Sequence, residues 1–112
     1  MHSIVIALMI ILVVPQLNAN GMALWPVVLV RLPNPGPFLL NHERIHHRQQ
    51  VELGVIPFYV FYLLEYVYRR WIEKRSHYGA YMALSFEREA YAHDRDLTYL
   101  KRRKLWAFWR YL

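Results

Sequence analysis

Residues 41–50 read Asn-His-Glu-Arg-Ile-His-His-Arg-Gln-Gln, and the spacing of His42 and His46 constrains the fold more than any other stretch of the chain. On a helix, residues four apart stand one above the other on the same face, so both imidazoles can point at one metal ion. Glu43 lies about 100° round the helix from His42, beside that point. From there its carboxylate can take a proton from a water whose pKa a zinc ion lowers to roughly 7, and pass it to a leaving amine. The stretch predicts a helix carrying His42 and His46 as ligands to one zinc ion, with Glu43 as general base.

Composition narrows what can surround such a helix. At 112 residues the chain makes one domain with a modest core. It has no cysteine, which excludes a disulfide framework and a thiolate zinc site and leaves His and carboxylate as metal donors. The formal charge is +6, and eleven of the fourteen Lys and Arg residues follow Tyr68. A basic half of this kind can meet nucleic acid or an anionic membrane surface. The membrane is favoured, because no Asp, Glu, Lys or Arg occurs between His2 and Arg31 and 56% of the chain is hydrophobic, with nine tyrosines and four tryptophans. No RNA-binding or helix-turn-helix signature is present. The partners expected are therefore a peptide or protein substrate and a membrane surface, with nucleic acid disfavoured.

Residues 4–14 are uniformly apolar, residues 15–21 read as a turn, and residues 22–30 are apolar again. Three forms compete for this region. One is a short membrane segment continued through Ala19, since about 20 residues are needed to span. Another is a β-hairpin of residues 4–14 with 22–30, and the third is a cleaved signal that lacks Lys or Arg ahead of its apolar core. The chain thus divides into an apolar segment, residues 1–21, and a helical domain, residues 22–112. If the first run spans, the basic C-terminal half is expected in the cytoplasm. Residues 22–31 also suit an edge strand that aligns an extended substrate by β-augmentation, Pro26 being tolerated at an edge.

Three main helices are expected after the Pro-rich loop of residues 32–37. The first runs over about 41–54 with Asn41 as N-cap and Gly54 and Pro57 beyond it. On its wheel His47 points into solvent, while Gln49 and Gln50 lie on the ligand side as polar supports of the site. The second, about 57–74, is apolar nearly all round until Glu65 and ends in Arg69, Arg70, Lys74 and Arg75, which suits a core position or a membrane interface. The third covers about 80–101. Glu87 and Asp94 flank its apolar arc on one edge, and Glu89 and Asp96 on the other. The tail, residues 102–112, places Trp106, Phe108 and Trp109 among Arg and Lys. The fold class expected is mainly α, with an N-terminal β-hairpin or short membrane segment.

A catalytic zinc takes three protein ligands and an open position. Glu87, Glu89, His93, Asp94 and His77 are available for the third. Glu87 ranks first, because Ala90 one turn later lets the helices approach closely; Glu89 and His93 follow. The segments Asn41-His-Glu-Arg-Ile-His46 and Phe86-Glu-Arg-Glu-Ala-Tyr91 resemble the gluzincin zinc metallopeptidases, whose His-Glu-x-x-His helix is joined by a Glu-x-x-Ala glutamate. The extension to Gln50 is similar to small bacterial proteins of the same kind. The resemblance implies a membrane-associated zinc metallopeptidase with a minimal gluzincin-like fold, His42, His46 and Glu87 as ligands, and Glu43 as base. Tyr91 stands where many relatives have Asp, so Asp94 is the substitute partner for a ligand histidine. Tyr91 or His77 is the expected oxyanion donor. The rival expectation is a non-catalytic structural or assembly subunit of a membrane complex, in which His42 and Glu87 form a buried polar lock between helices.

Overall fold

The computed structural model describes residues 9–112. The expectations for residues 1–8 lie outside these. Three four-residue apolar pieces make the strands β1 (Ile10–Val13), β2 (Gly21–Leu24) and β3 (Val27–Val30), in the spatial order β1-β3-β2. The expected hairpin between residues 4–14 and 22–30 is not what forms. β1 runs parallel to β3, and the hairpin lies within residues 21–30, where β2 and β3 pair antiparallel across Trp25 and Pro26. Pro26 interrupts what would otherwise be one strand and sits in the turn, where its missing N–H costs no ladder bond. The edge strand predicted over residues 22–31 is therefore only Gly21–Leu24, and β3 takes the centre with Val28 and Val30 fully buried.

Helix α1 (Pro37–Leu53) begins four residues earlier than Asn41. Pro37 suits a first helical position, where its lacking N–H would be unbonded anyway. Asn41 is therefore inside the helix and not its cap, and its Nδ2 donates to the carbonyls of Asp94 (2.8 Å) and Asp96 (3.1 Å). Gly54, at φ 91°, ends α1, and α2 (Val55–Val67) leaves with a bend of 108°. Pro57 falls in the first turn of α2, where it is tolerated. A single π turn, Tyr68–Ile72, prolongs it.

The third helix expected over 80–101 is three: α3 (His77–Ala83), α4 (Ser85–His93) and α5 (Tyr99–Arg102). Ser76 starts α3, its Oγ accepting from Gly79 N at 3.0 Å, so the helix begins at residue 77 and not at about 80. Leu84 is extended, and Glu65 of α2 accepts from Ser85 N (2.9 Å) and Oγ (2.7 Å), placing a carboxylate at the start of α4 where the helix dipole favours it. After His93, Asp96 accepts from Thr98 N and Oγ1, a local bond that competes with helix continuation. A 3₁₀ turn, Ala107–Tyr111, closes the chain.

The result is mainly helical with a small three-stranded sheet at its N-terminal end. α1 lies between that sheet and α4, so it is buried nearly all round. His47, expected in solvent, is 1% exposed and its Nε2 donates to the Val27 carbonyl at 2.9 Å, because β3 covers that face of the helix. Burial holds the His47 pKa below its usual value, so it stays neutral. Ile45, Ala90 and Tyr99 form one apolar cluster, and Phe58, Phe86 and Phe108 another. No single helix among the described residues is long and apolar enough to cross a membrane.

Beside these clusters the Arg103 side chain, fully buried, binds Glu89 (2.5 and 3.1 Å) and Glu52 (2.8 and 3.1 Å). Removing one partner of such a group leaves a buried charge without compensation, at a cost of about 3–5 kcal/mol. Arg103→Met is expected to lower unfolding stability in urea by that order, and Glu89→Gln by a similar amount. Although burial works to raise the Glu89 pKa, the Arg103 contacts hold it below its ordinary value. The stability it contributes is thus present above the usual carboxylate range and is lost as pH falls through that range towards the lower folded value. An acid titration of the parent should show this loss, and one of Glu89→Gln should lack it.

Candidate metal centre

α1 presents His42 and His46 one turn apart, and α4 crosses it with Ala90 packed against Ile45, close enough for Glu87 to enter between the two rings. Glu87 Oε1 lies 3.0 Å from His42 Nε2 and 3.1 Å from His46 Nε2. All three residues are buried, and their ligand atoms lie within 4.8 Å of one another, a group able to hold a metal ion. Of the five residues considered for the third position, the structure brings Glu87 here.

The far nitrogens determine what the near ones can do. His42 Nδ1 is 3.1 Å from Asp94 Oδ2, a pure acceptor when ionised, so Nδ1 carries a proton. His46 Nδ1 is 2.8 Å from Gln49 Oε1. The orientation of that amide follows from its other end, where Nε2 donates to the Phe86 carbonyl (3.1 Å) and to Glu89 Oε1 (3.0 Å). Both Nδ1 atoms are therefore donors, and a neutral ring in either position turns the lone pair of Nε2 towards Glu87 Oε1. Three acceptor atoms then face one point, which calls for a cation or for added protons. Partners of this kind are what orient the histidines of a metal site.

Charge follows the same geometry. Burial opposes protonation of His46, yet the Glu87 carboxylate beside it raises the pKa to about 9. Burial would raise Glu87, but His46 and then His42 hold it far below the carboxylate range. Tyr62 Oη donates to Glu87 Oε2 at 2.7 Å and Tyr81 Oη to Oε1 at 3.2 Å. Glu43 is buried next to the cluster and its pKa is raised by desolvation, partly offset by His46 and His42.

Glu43 also lies where the cluster meets open space. Two cavities, of about 430 and 360 Å³, share Gly21, His42, Glu43 and Tyr81 in their walls, so one cleft runs past the cluster between β2 and the helices α3 and α4. The larger arm continues along Met22 and Ala23 to Tyr59 and Tyr62. The smaller passes Phe38 and Tyr91 to Arg95. At Gly21 the clearance is minimal, since a Cβ built there would come within 3.0 Å of Glu43 Oε2 and 3.2 Å of Leu39 Cδ1.

The remaining predicted residues have other places. Glu89 is occupied by Arg103, Tyr99 and Gln49, and His93 stacks on Tyr99 at 3.8 Å while bonding Tyr111 Oη, so neither reserve ligand joins the group. Gln49 supports the site; Gln50 instead supports the sheet, with Nε2 to the Ala23 carbonyl (2.9 Å) and Oε1 accepting from Trp25 N (2.7 Å). Tyr91 packs its ring edge-on to His42 at 4.4 Å, and its hydroxyl meets Tyr81 Oη at 2.9 Å. His77 lines the cleft but bonds Tyr66 Oη at 2.7 Å. Tyr62 and Tyr81 escaped sequence reasoning. The one available signal for Tyr62 was its spacing from Phe58 and Tyr59, four and three residues before it on one face of α2.

Comparison with protein-family models, curated proteins and solved structures gave no match. The metal reading thus rests on this chain's own geometry. Titration of the metal-free protein with zinc should give about one ion per chain. His42→Ala and His46→Ala should abolish that binding, and Asp94→Ala should weaken it about 10–100-fold, the usual cost of losing a partner of a ligand histidine.

Proposed function

We propose that this chain is a zinc-dependent metallopeptidase. The observation carrying the proposal is the convergence of the two Nε2 atoms and Glu87 Oε1 on the wall of an open cleft, with Glu43 adjacent. Two imidazoles and one carboxylate are a donor set of catalytic zinc sites, and no thiolate is available to close the site. A bound zinc ion supplies Lewis acidity, lowering the pKa of water to roughly 7 and polarising a carbonyl.

The protein groups do the rest. β2 is an edge strand along the cleft, and a peptide laid beside it passes Glu43 at Gly21. Glu43 takes the proton of the attacking water as its oxygen bonds to the peptide carbon, then gives it to the leaving nitrogen as the C–N bond breaks. Burial suits Glu43 to both steps, since it brings the carboxyl closer to the working pH. Tyr81, whose hydroxyl already lies beside Glu87 and Tyr91, is the donor placed to steady the carbonyl oxygen. His77, expected for that role, is the weaker choice, since its bond to Tyr66 engages Nδ1.

A second reading, the non-catalytic assembly subunit with a polar lock, draws on the same distances. At 3.0 and 3.1 Å the Nε2 contacts are hydrogen-bond lengths, and two added protons would satisfy them without any ion. The lock requires neither the cleft nor Glu43. Glu43→Gln separates the two: the variant should bind zinc as the parent does while cleavage of a quenched fluorescent peptide library falls about 10²–10⁴-fold, the usual contribution of a general base. Undiminished cleavage would reject Glu43 as the base, and a parent that binds no zinc would leave the lock.

A further inference from the structure

We propose that the outward face of α2, together with the C-terminal aromatics, docks this protein on an anionic lipid bilayer. α2 has two faces. Phe58, Tyr59 and Tyr62 turn inward, whereas Phe61, Leu63 and Leu64 are each more than half exposed, as are Trp71 beyond them and Trp109 in the tail. Side chains from both elements, Phe61 and Leu64 from α2 and Trp106, Trp109 and Leu112 from the tail, line one groove of about 620 Å³. They are therefore one continuous apolar surface, of a kind that marks an interaction site when it lies on a folded domain.

The charges around that surface select the occupant. Arg69 and Arg75 are engaged by Glu65 and Glu73, and Arg102 by Asp96. Lys74, Lys104 and Arg110 are exposed and in no ion pair among the described residues, and each lies within three residues of a surface tryptophan. Aromatic rings with an apolar body and a polar edge, flanked by long cationic side chains, match the headgroup boundary of a bilayer that carries negative charge. A second copy of the chain would bring like charges together across the same face, since each copy carries a formal charge of +6. The proposal is independent of the metal, as none of these groups belongs to the His42, His46 and Glu87 cluster.

The test uses the full chain with vesicles of neutral phosphatidylcholine, with or without one quarter phosphatidylglycerol, in low salt. A variant with Trp25, Trp71 and Trp106 changed to Phe leaves Trp109 as the sole reporter. The protein should float with the anionic vesicles, and Trp109 should be quenched by brominated acyl chains. Phe61→Ser/Leu64→Ser should reduce binding at least tenfold with an unchanged circular dichroism spectrum. Lys74→Gln, Lys104→Gln and Arg110→Gln should each cost about five-fold, as one cation near such a surface does. Flotation without quenching of Trp109 would place the attachment elsewhere and overturn the proposal. So would equal flotation on neutral vesicles, or lipid-independent self-association that shields Trp109.

Discussion

Glu87 Oε1, an oxygen of a carboxylate buried at the wall of the cleft, stands within hydrogen-bond reach of both imidazoles of α1, and much of the packing maintains that arrangement. An isolated charge in such a place would be costly enough to neutralise or unfold its surroundings. Here it is met from three elements: the two histidines of α1, Tyr62 of α2 and Tyr81 of α3. Helices α1 and α4 cannot separate without exposing those groups. Asn41, gripping the carbonyls at the end of α4, adds a second tie between the same helices.

Gln49 joins this cluster to the buried ion pairs beyond it. Its oxygen faces His46 and its nitrogen faces Glu89, which Arg103 and Tyr99 also hold, so the chain His46, Gln49, Glu89, Arg103, Glu52 is continuous. That continuity explains why Glu87 and Glu89 have different duties despite identical chemistry. Two residues apart on a helix is about 200° of rotation, so one carboxylate reaches the ligand face of α1 and the other reaches Arg103. The residue type could serve at either position; the crossing of α4 over α1 decides.

His42, Glu43 and His46 were legible because four-residue spacing within one helix is a local property. Glu87 and Asp94 were legible as acids on one edge of an apolar arc, although the helix carrying them ends at His93 and Asp94 reaches His42 from just beyond it. What the sequence hid depends on partners distant in the chain. His47 is polar and falls on the outer side of the wheel, yet β3, twenty residues earlier, covers it. The break at Leu84 has no Gly or Pro to announce it; Glu65 stabilises the new helix start from another element. Strand pairing was hidden for the same reason, since the parallel partner of β1 lies beyond β2 and only the turn at Trp25 and Pro26 is local.

The apolar character of α2 has two causes that composition cannot separate. Phe58 and Tyr62 are apolar or aromatic because they close the core and reach Glu87, whereas Phe61 and Leu64, one residue before Tyr62 and two after it, face outward. An α-helix with its side chains is about 10–12 Å across. A bilayer on the outer face would thus lie about one helix diameter from the carboxylate between the two histidines. The same rigid element would then fix the height of the cleft above the lipid, and chain segments within about that distance of the headgroups would be the ones β2 could align. α2, whose Tyr59 and Tyr62 wall the site, would then also select what reaches it.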